Sequence, residues 1–216
     1  MWALFDLNGT LVDPSGLAEP LGVDAGFVSA AFDEANAAAM VVALGGVGAE
    51  FKALLESALR RRLAAAGEPD AGLPQALERL GSMPAYPDAR VALARLRDGG
   101  SELGVLTQSS VDAAETVLRG AGLRDLLAFV ASAPGGAGAY KPDPRAYRHG
   151  LARAGADTAW FVAGHWWDVA GATAAGLRGA WVARTDVAYP SALPQPEATG
   201  GDLAEVAEAI LARTAA

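Results

Sequence analysis

Short, uniformly apolar runs alternate with amphipathic stretches along most of the chain. The runs are Ala3–Phe5, Leu103–Leu106, Leu127–Ala131, Trp160–Ala163 and Ala180–Ala183. Their shortness and lack of polar alternation fit strands covered on both faces, as in a parallel sheet. Between them, apolar positions recur at helical spacing over Asp88–Arg97, Val111–Gly120, Pro144–Ala154 and Val169–Ala175, and again over Leu203–Arg213. Pro144 stands where a helix accepts proline, in its first turn, and Ser109 or Ser110 supplies a cap for the helix at Val111. Strand–helix alternation of this kind predicts an α/β fold with a doubly wound parallel, Rossmann-like sheet and right-handed crossovers.

One segment breaks the alternation. Residues 15–80 read as helices alone: Phe27–Leu44, Phe51–Ala66 and a shorter piece near Leu73–Leu80, separated by Gly45-Gly46 and Pro69-Asp70. A helical insertion directly after the first strand sits above the carboxyl ends of the strands, where ligands bind in such sheets. The expected organisation is a core domain of residues 1–14 and 81–216 and a small all-helical cap of residues 15–80. Tyr189–Gly201, rich in proline and glycine, reads as a loop.

Composition narrows the function classes. Hydrophobic residues make up 52% of the 216 and charged residues 19%, enough for a sizeable core. A net charge of −8 argues against nucleic acid and anionic membrane surfaces as partners. The absence of cysteine excludes disulfides, thiolate metal sites and a cysteine nucleophile. The two histidines, His149 and His165, are too few for a histidine-rich metal cluster. No apolar run is read as approaching the ~20 residues that span a bilayer, and the N-terminus lacks the marks of a signal peptide. The expectation is a cytoplasmic protein.

Polar clusters follow four of the strand-like runs. Phe5-Asp6-Leu7-Asn8-Gly9-Thr10 delivers a carboxylate to a strand tip and then turns at a glycine. A carboxylate fixed there can act as a covalent nucleophile, with Thr10 hydrogen-bonding back to orient it. Leu106-Thr107-Gln108-Ser109-Ser110 places a hydroxyl and an amide before a helix N-terminus, an anion cradle in which Thr107 is the candidate and the serines serve as caps. In Tyr140-Lys141-Pro142-Asp143-Pro144-Arg145-Ala146-Tyr147, prolines stiffen the backbone around Lys141, which can hold a carboxylate ionised or neutralise substrate charge. In Ala163-Gly164-His165-Trp166-Trp167-Asp168, Asp168 opens a helix, and His165 reads as a base, a substrate contact or a loop residue.

Together these clusters, FDLNGT, LTQSS, YKPDPRAY and AGHWWD followed by GATAAGLRGAWVAR, resemble the haloacid dehalogenase superfamily from Trp2 through Arg184. The resemblance is nearest to its 2-haloacid dehalogenase branch. It implies Asp6 as nucleophile forming an ester that water hydrolyses, Thr10 as its orienting group, and Thr107 and Lys141 as charge contacts. Asp168 would support the site or its water. Leu7, Asn8, Gln108, Tyr147 and His165 are the expected substrate contacts, and the expected substrate is a small anionic molecule. A homodimer is plausible from the way cap helices bury apolar surface.

Position 8 separates the chemistries. Phosphatase relatives carry a second acid there, which protonates the leaving alcohol and later activates water. Asn8 cannot do this. Those relatives also carry an acid four residues before the counterpart of Asp168, where this chain has Gly164. A departing halide needs no proton, so displacement by Asp6 works without that acid and with no metal cofactor. Dehalogenases of this branch also use a cap arginine to hold the halide, and by rough register it would fall near Asp33. No Lys or Arg occurs before Lys52, while seven acids do. Three readings stay open: a metal-independent 2-haloacid dehalogenase, a Mg2+-dependent phosphatase on a small phosphoester, and a non-catalytic relative that binds a small anion or a partner.

Overall fold

The computed structural model describes residues 1–46, 48–184, 186 and 188–214. Six parallel strands form one sheet in the order β3-β2-β1-β4-β5-β6: β1 is Trp2–Phe5, β2 Glu102–Thr107, β3 Phe129–Ser132, β4 Trp160–Ala163, β5 Arg178–Val182 and β6 Ala198–Gly200. The central strands are buried on both faces, so each residue faces one of two cores. Phe5, Val105 and Val162 join one apolar cluster; Leu4, Leu106 and Phe161 join the other. This double burial is why the strands read as uniform apolar runs and not as polar alternation.

Helices α5 (Ala89–Asp98), α6 (Val111–Gly120), α7 (Pro144–Ala154), α8 (Trp166–Ala174) and α9 (Leu203–Ala212) accompany these strands. Three sequence-predicted boundaries shift by two or three residues. Helix α8 starts at Trp166, β5 starts at Arg178, and β3 starts at Phe129 because Arg124–Leu126 forms a 3-10 turn. Strand β6 lies inside the stretch expected to be a loop, which is a correction. Its sequence, Ala-Thr-Gly, has no apolar run, and it is held by pairing with β5.

After β1 the chain enters helices α1 (Ala18–Leu21), α2 (Ala25–Gly45), α3 (Phe51–Ala66) and α4 (Leu73–Arg79). The 3-10 turn Pro14–Leu17 and helix α1 precede the first expected cap helix. Departure and return are stitched together: Asp13 N–H donates to Pro84 O at 2.9 Å, Tyr86 N–H to Leu11 O at 3.0 Å, and Val12 bridges Ala85. Helix α2 needs a second correction. It has 21 residues, and an 18-residue stretch of it has a mean hydropathy of 1.4, so by length and composition it is long and apolar enough to cross a membrane. Many small alanines raise that mean, around the charged Asp33 and Glu34. Its buried side, Val28, Ala31, Phe32, Ala35 and Ala39, belongs to the core cluster that also holds Phe51, Leu55 and Leu59 of α3.

Candidate active site

The site forms where β1, β2 and β4 end and the helical insertion covers them. The Asp6 N–H still takes part in the sheet, donating to Val162 O at 3.0 Å. The chain then turns through Gly9, whose φ of +75° is a conformation that L side chains rarely adopt. A Cβ at Gly9 would also meet His165 Cε1 at 3.0 Å. The turn brings Thr10 back under the carboxylate. Thr10 Oγ1 donates to Asp6 Oδ2 at 2.9 Å and accepts from Gly164 N–H at 2.9 Å. A single hydroxyl therefore ties the β1 turn to the β4 turn. Arg184 steadies the same turn from outside, donating to Thr10 O at 3.2 Å and to Asp88 Oδ1 at 2.8 Å.

Lys141 is wholly buried and lies between two carboxylates, 2.8 Å from Asp6 Oδ1 and 2.6 Å from Asp168 Oδ2. Tyr147 OH donates to Asp168 Oδ1 at 2.7 Å. Gln108 clamps the Lys141 backbone from both sides: it accepts from Lys141 N–H at 3.0 Å and its Nε2 donates to Lys141 O at 3.3 Å. His165 Nδ1 lies 3.7 Å from Asp6 Oδ2, an ion-pair distance longer than a hydrogen bond.

Burial alone would raise every carboxyl here, and the partners decide which one stays acidic. For Asp6, burial is outweighed by the Lys141 charge and by His165, so its carboxyl lies well below the usual range. For Asp168, burial and the charge of Asp6 outweigh Lys141, and its pKa is raised. Burial works against the Lys141 ammonium, but Asp168 and Asp6 win and raise it above its ordinary value. Burial likewise pulls His165 down, while its contact with Asp6 and the charges of Asp6, Asp168 and Asp33 raise it above 6.5. The result is an ionised, oriented Asp6 beside the Lys141 ammonium and an imidazole that keeps its proton to higher pH than usual.

Of the expected residues, Asp6, Thr10, Lys141, Asp168 and Tyr147 form one connected network. Thr107, Asn8, Gln108 and His165 line the void in front of Asp6, whose volume is about 10 Å³. Gln108 and Tyr147 spend their polar groups on Lys141 and Asp168, so they position the charged pair. Leu7 does not line this void; it faces a neighbouring cavity. Sequence reasoning missed Asn36, Phe32 and Phe51, which close the void from the cap. Asn36 is buried, one turn beyond the register expected for a cap arginine. It also missed the Trp181 indole, which donates to Gly164 O at 3.0 Å.

The donors do not fit a divalent cation, which wants several oxygens. All four oxygens of Asp6 and Asp168 are taken: Lys141 holds one of each, Thr10 the other of Asp6 and Tyr147 the other of Asp168. Among the described residues no group of three or more His, Asp or Glu gathers to hold a metal. Nor is there room for an acid at position 164, since a Cβ there would meet Gly9 O at 2.5 Å.

The family model for haloacid dehalogenase-like hydrolases matches residues 1–176. The chain belongs to that family of hydrolases. Among curated relatives, the haloacetate dehalogenase H-2 of Moraxella sp. (strain B) is 32% identical over 116 residues, 53% of this chain and 51% of the relative. The phosphoserine phosphatase of Thermus thermophilus is 36% identical over 126 residues, 57% of this chain and 50% of the relative. The chain thus spans about half the length of these curated relatives. The solved L-2-haloacid dehalogenase of Xanthobacter autotrophicus superposes with a TM-score of 0.87 over 100% of this chain and 99% of that one, at 23% identity, which establishes the shared fold. A dehalogenase and a phosphatase match about equally well, so the site has to separate the two chemistries.

Proposed function

We propose that this haloacid dehalogenase-like hydrolase cleaves the carbon–halogen bond of a 2-haloacid without a metal ion. An Asp6 oxygen attacks C2, the new C–O bond forms as the C–X bond breaks, and the halide leaves with the electron pair. Water then attacks Asp6 Cγ, the ester opens, and a 2-hydroxy acid departs. The water gives one proton to the departing oxygen and the other to solvent, and Asp168, through the shared Lys141, holds the regenerated Asp6 carboxylate in place. Thr10 and Lys141 hold Asp6, and Tyr147 and Gln108 hold Asp168 and Lys141 in turn. No lysine or arginine stands among the described residues lining the void, so His165 receives the substrate's negative charge there.

The observation that carries this reading is the pair Asn8 and Gly164. The first removes the acid that an alcohol leaving group requires. The second stands where an additional carboxylate has no space. A halide needs neither. The test is halide release from chloroacetate and both enantiomers of 2-chloropropionate, with EDTA present and Asp6→Asn as control. The native chain should release halide and the variant should not. Release that needs magnesium, or that persists in Asp6→Asn, overturns the proposal.

A further inference from the structure

The void before Asp6, about 10 Å³, has room for roughly one water molecule. Next to it a cavity of about 440 Å³ opens between the cap and the core. Asn8, Phe32 and Phe51 line both spaces, so they are the shared wall. Beyond that wall the cavity is bounded by aliphatic side chains: Leu55 of α3 and Leu77 of α4 from the cap, Ala113 and Val117 of α6 from the core. Its charged lining residues, such as Glu50, Lys52 and Asp112, are exposed at the rim. An apolar floor of this size matches a small-molecule site. A haloacetate, which has no substituent at C2, leaves it unfilled.

We propose, resting on the function above, that this cavity receives the C2 substituent of the substrate. The substrate class is then 2-haloacids carrying an alkyl or arylalkyl chain of about four carbons or more, not haloacetate. With C2 held at Asp6, the carboxylate and halide face His165, and because the void alone holds only about one water, Phe32, Asn36 and Phe51 draw back from Asp6 to admit them. The chain passes Phe32 and Phe51 into the aliphatic space. Each methylene moved out of water there contributes about a fourfold gain in transition-state binding.

The experiment compares kcat/KM for bromide release from 2-bromopropionate and 2-bromohexanoate. The longer acid has three more methylenes, and the native chain should favour it by at least ~10-fold. Ala113→Trp and Leu77→Trp, on opposite walls, should each bring that ratio toward one. Equal rates for the two acids, or a ratio unmoved by both substitutions, overturns the proposal. Absence of bromide release from either acid overturns the functional reading instead. Calorimetric titration with hexanoate and acetate then decides the cavity alone. Tighter hexanoate binding that Ala113→Trp weakens supports it; equal binding overturns it.

Discussion

Replacing His165 with glutamine separates a catalytic charge from a packing residue. The imidazole is largely buried, with its Nδ1 3.7 Å from Asp6 Oδ2 and its ring 5.6 Å from that of Trp167. Its pKa lies above 6.5 because the contact with Asp6 and nearby negative charge outweigh its burial. The positive charge is therefore present at and below pH 6.5 and is lost as pH rises through that elevated value. Asp6 stays ionised across this range, while Lys141 and Tyr147 titrate above their ordinary 10.5 and 10.0. His165 is thus left to set the alkaline limb of kcat/KM, which reports the free enzyme. A hydrogen bond to a charged group is worth about 1.5–3 kcal/mol, or roughly ten- to a hundredfold in rate. Glutamine keeps a donor but no charge, so the loss should fall near the lower end, about tenfold at pH 6.5. Initial rates of halide release between pH 5 and 10, native against His165→Gln, measure it. The native profile should fall on the alkaline side, and the variant should be lower and flat there. A native profile that is flat or rising above pH 7, or a variant that keeps the native alkaline limb, refutes the assignment.

Three other changes probe the network. Lys141→Met strips the shared cation from two buried carboxylates and should cost about 3–5 kcal/mol in urea denaturation at pH 7. With burial then dominant, both carboxyls are raised and the variant should regain stability as pH falls toward 5; a rise in stability with pH would contradict this. Tyr147→Phe removes the donor to Asp168 and should lower kcat about tenfold while leaving KM within about twofold, read from steady-state halide release. Asn8→Asp combined with Gly164→Asp restores the two phosphatase acids in sequence only. The 2.5 Å approach of a Cβ at 164 to Gly9 O should lower Tm by about 3–10 °C in calorimetry. Magnesium should give it no hydrolysis of p-nitrophenyl phosphate; an unchanged Tm with magnesium-dependent turnover would show that the acid fits.

The parts of this molecule legible in its sequence are those whose physics is local. Asp6 and Asp168 could be placed because each follows an apolar run, and a parallel sheet brings the carboxyl ends of such runs to one edge; Lys141 could be placed because prolines stiffen the backbone around it. Gly9 was legible because a sharp turn after a strand calls for φ above zero. Strand β6 was not, because Ala198-Thr199-Gly200 has no pattern of its own and exists through its pairing with β5. The cap side of the site was hidden for a different reason. Which face of α2 turns toward Asp6 depends on how the insertion folds back over the sheet, and α2 is apolar nearly all round. One signal was available: Asn36 is a polar residue four places after Phe32, on the line Val28–Phe32–Asn36, and a buried amide on an otherwise alanine-lined face requires a polar partner. Following that line and not the count to Asp33 leads to an amide where a cationic cap residue was sought. An amide can donate a hydrogen bond to a carboxylate or halide but supplies no charge. That shifts the task of neutralising an anionic substrate onto His165 at the opposite wall of the same void.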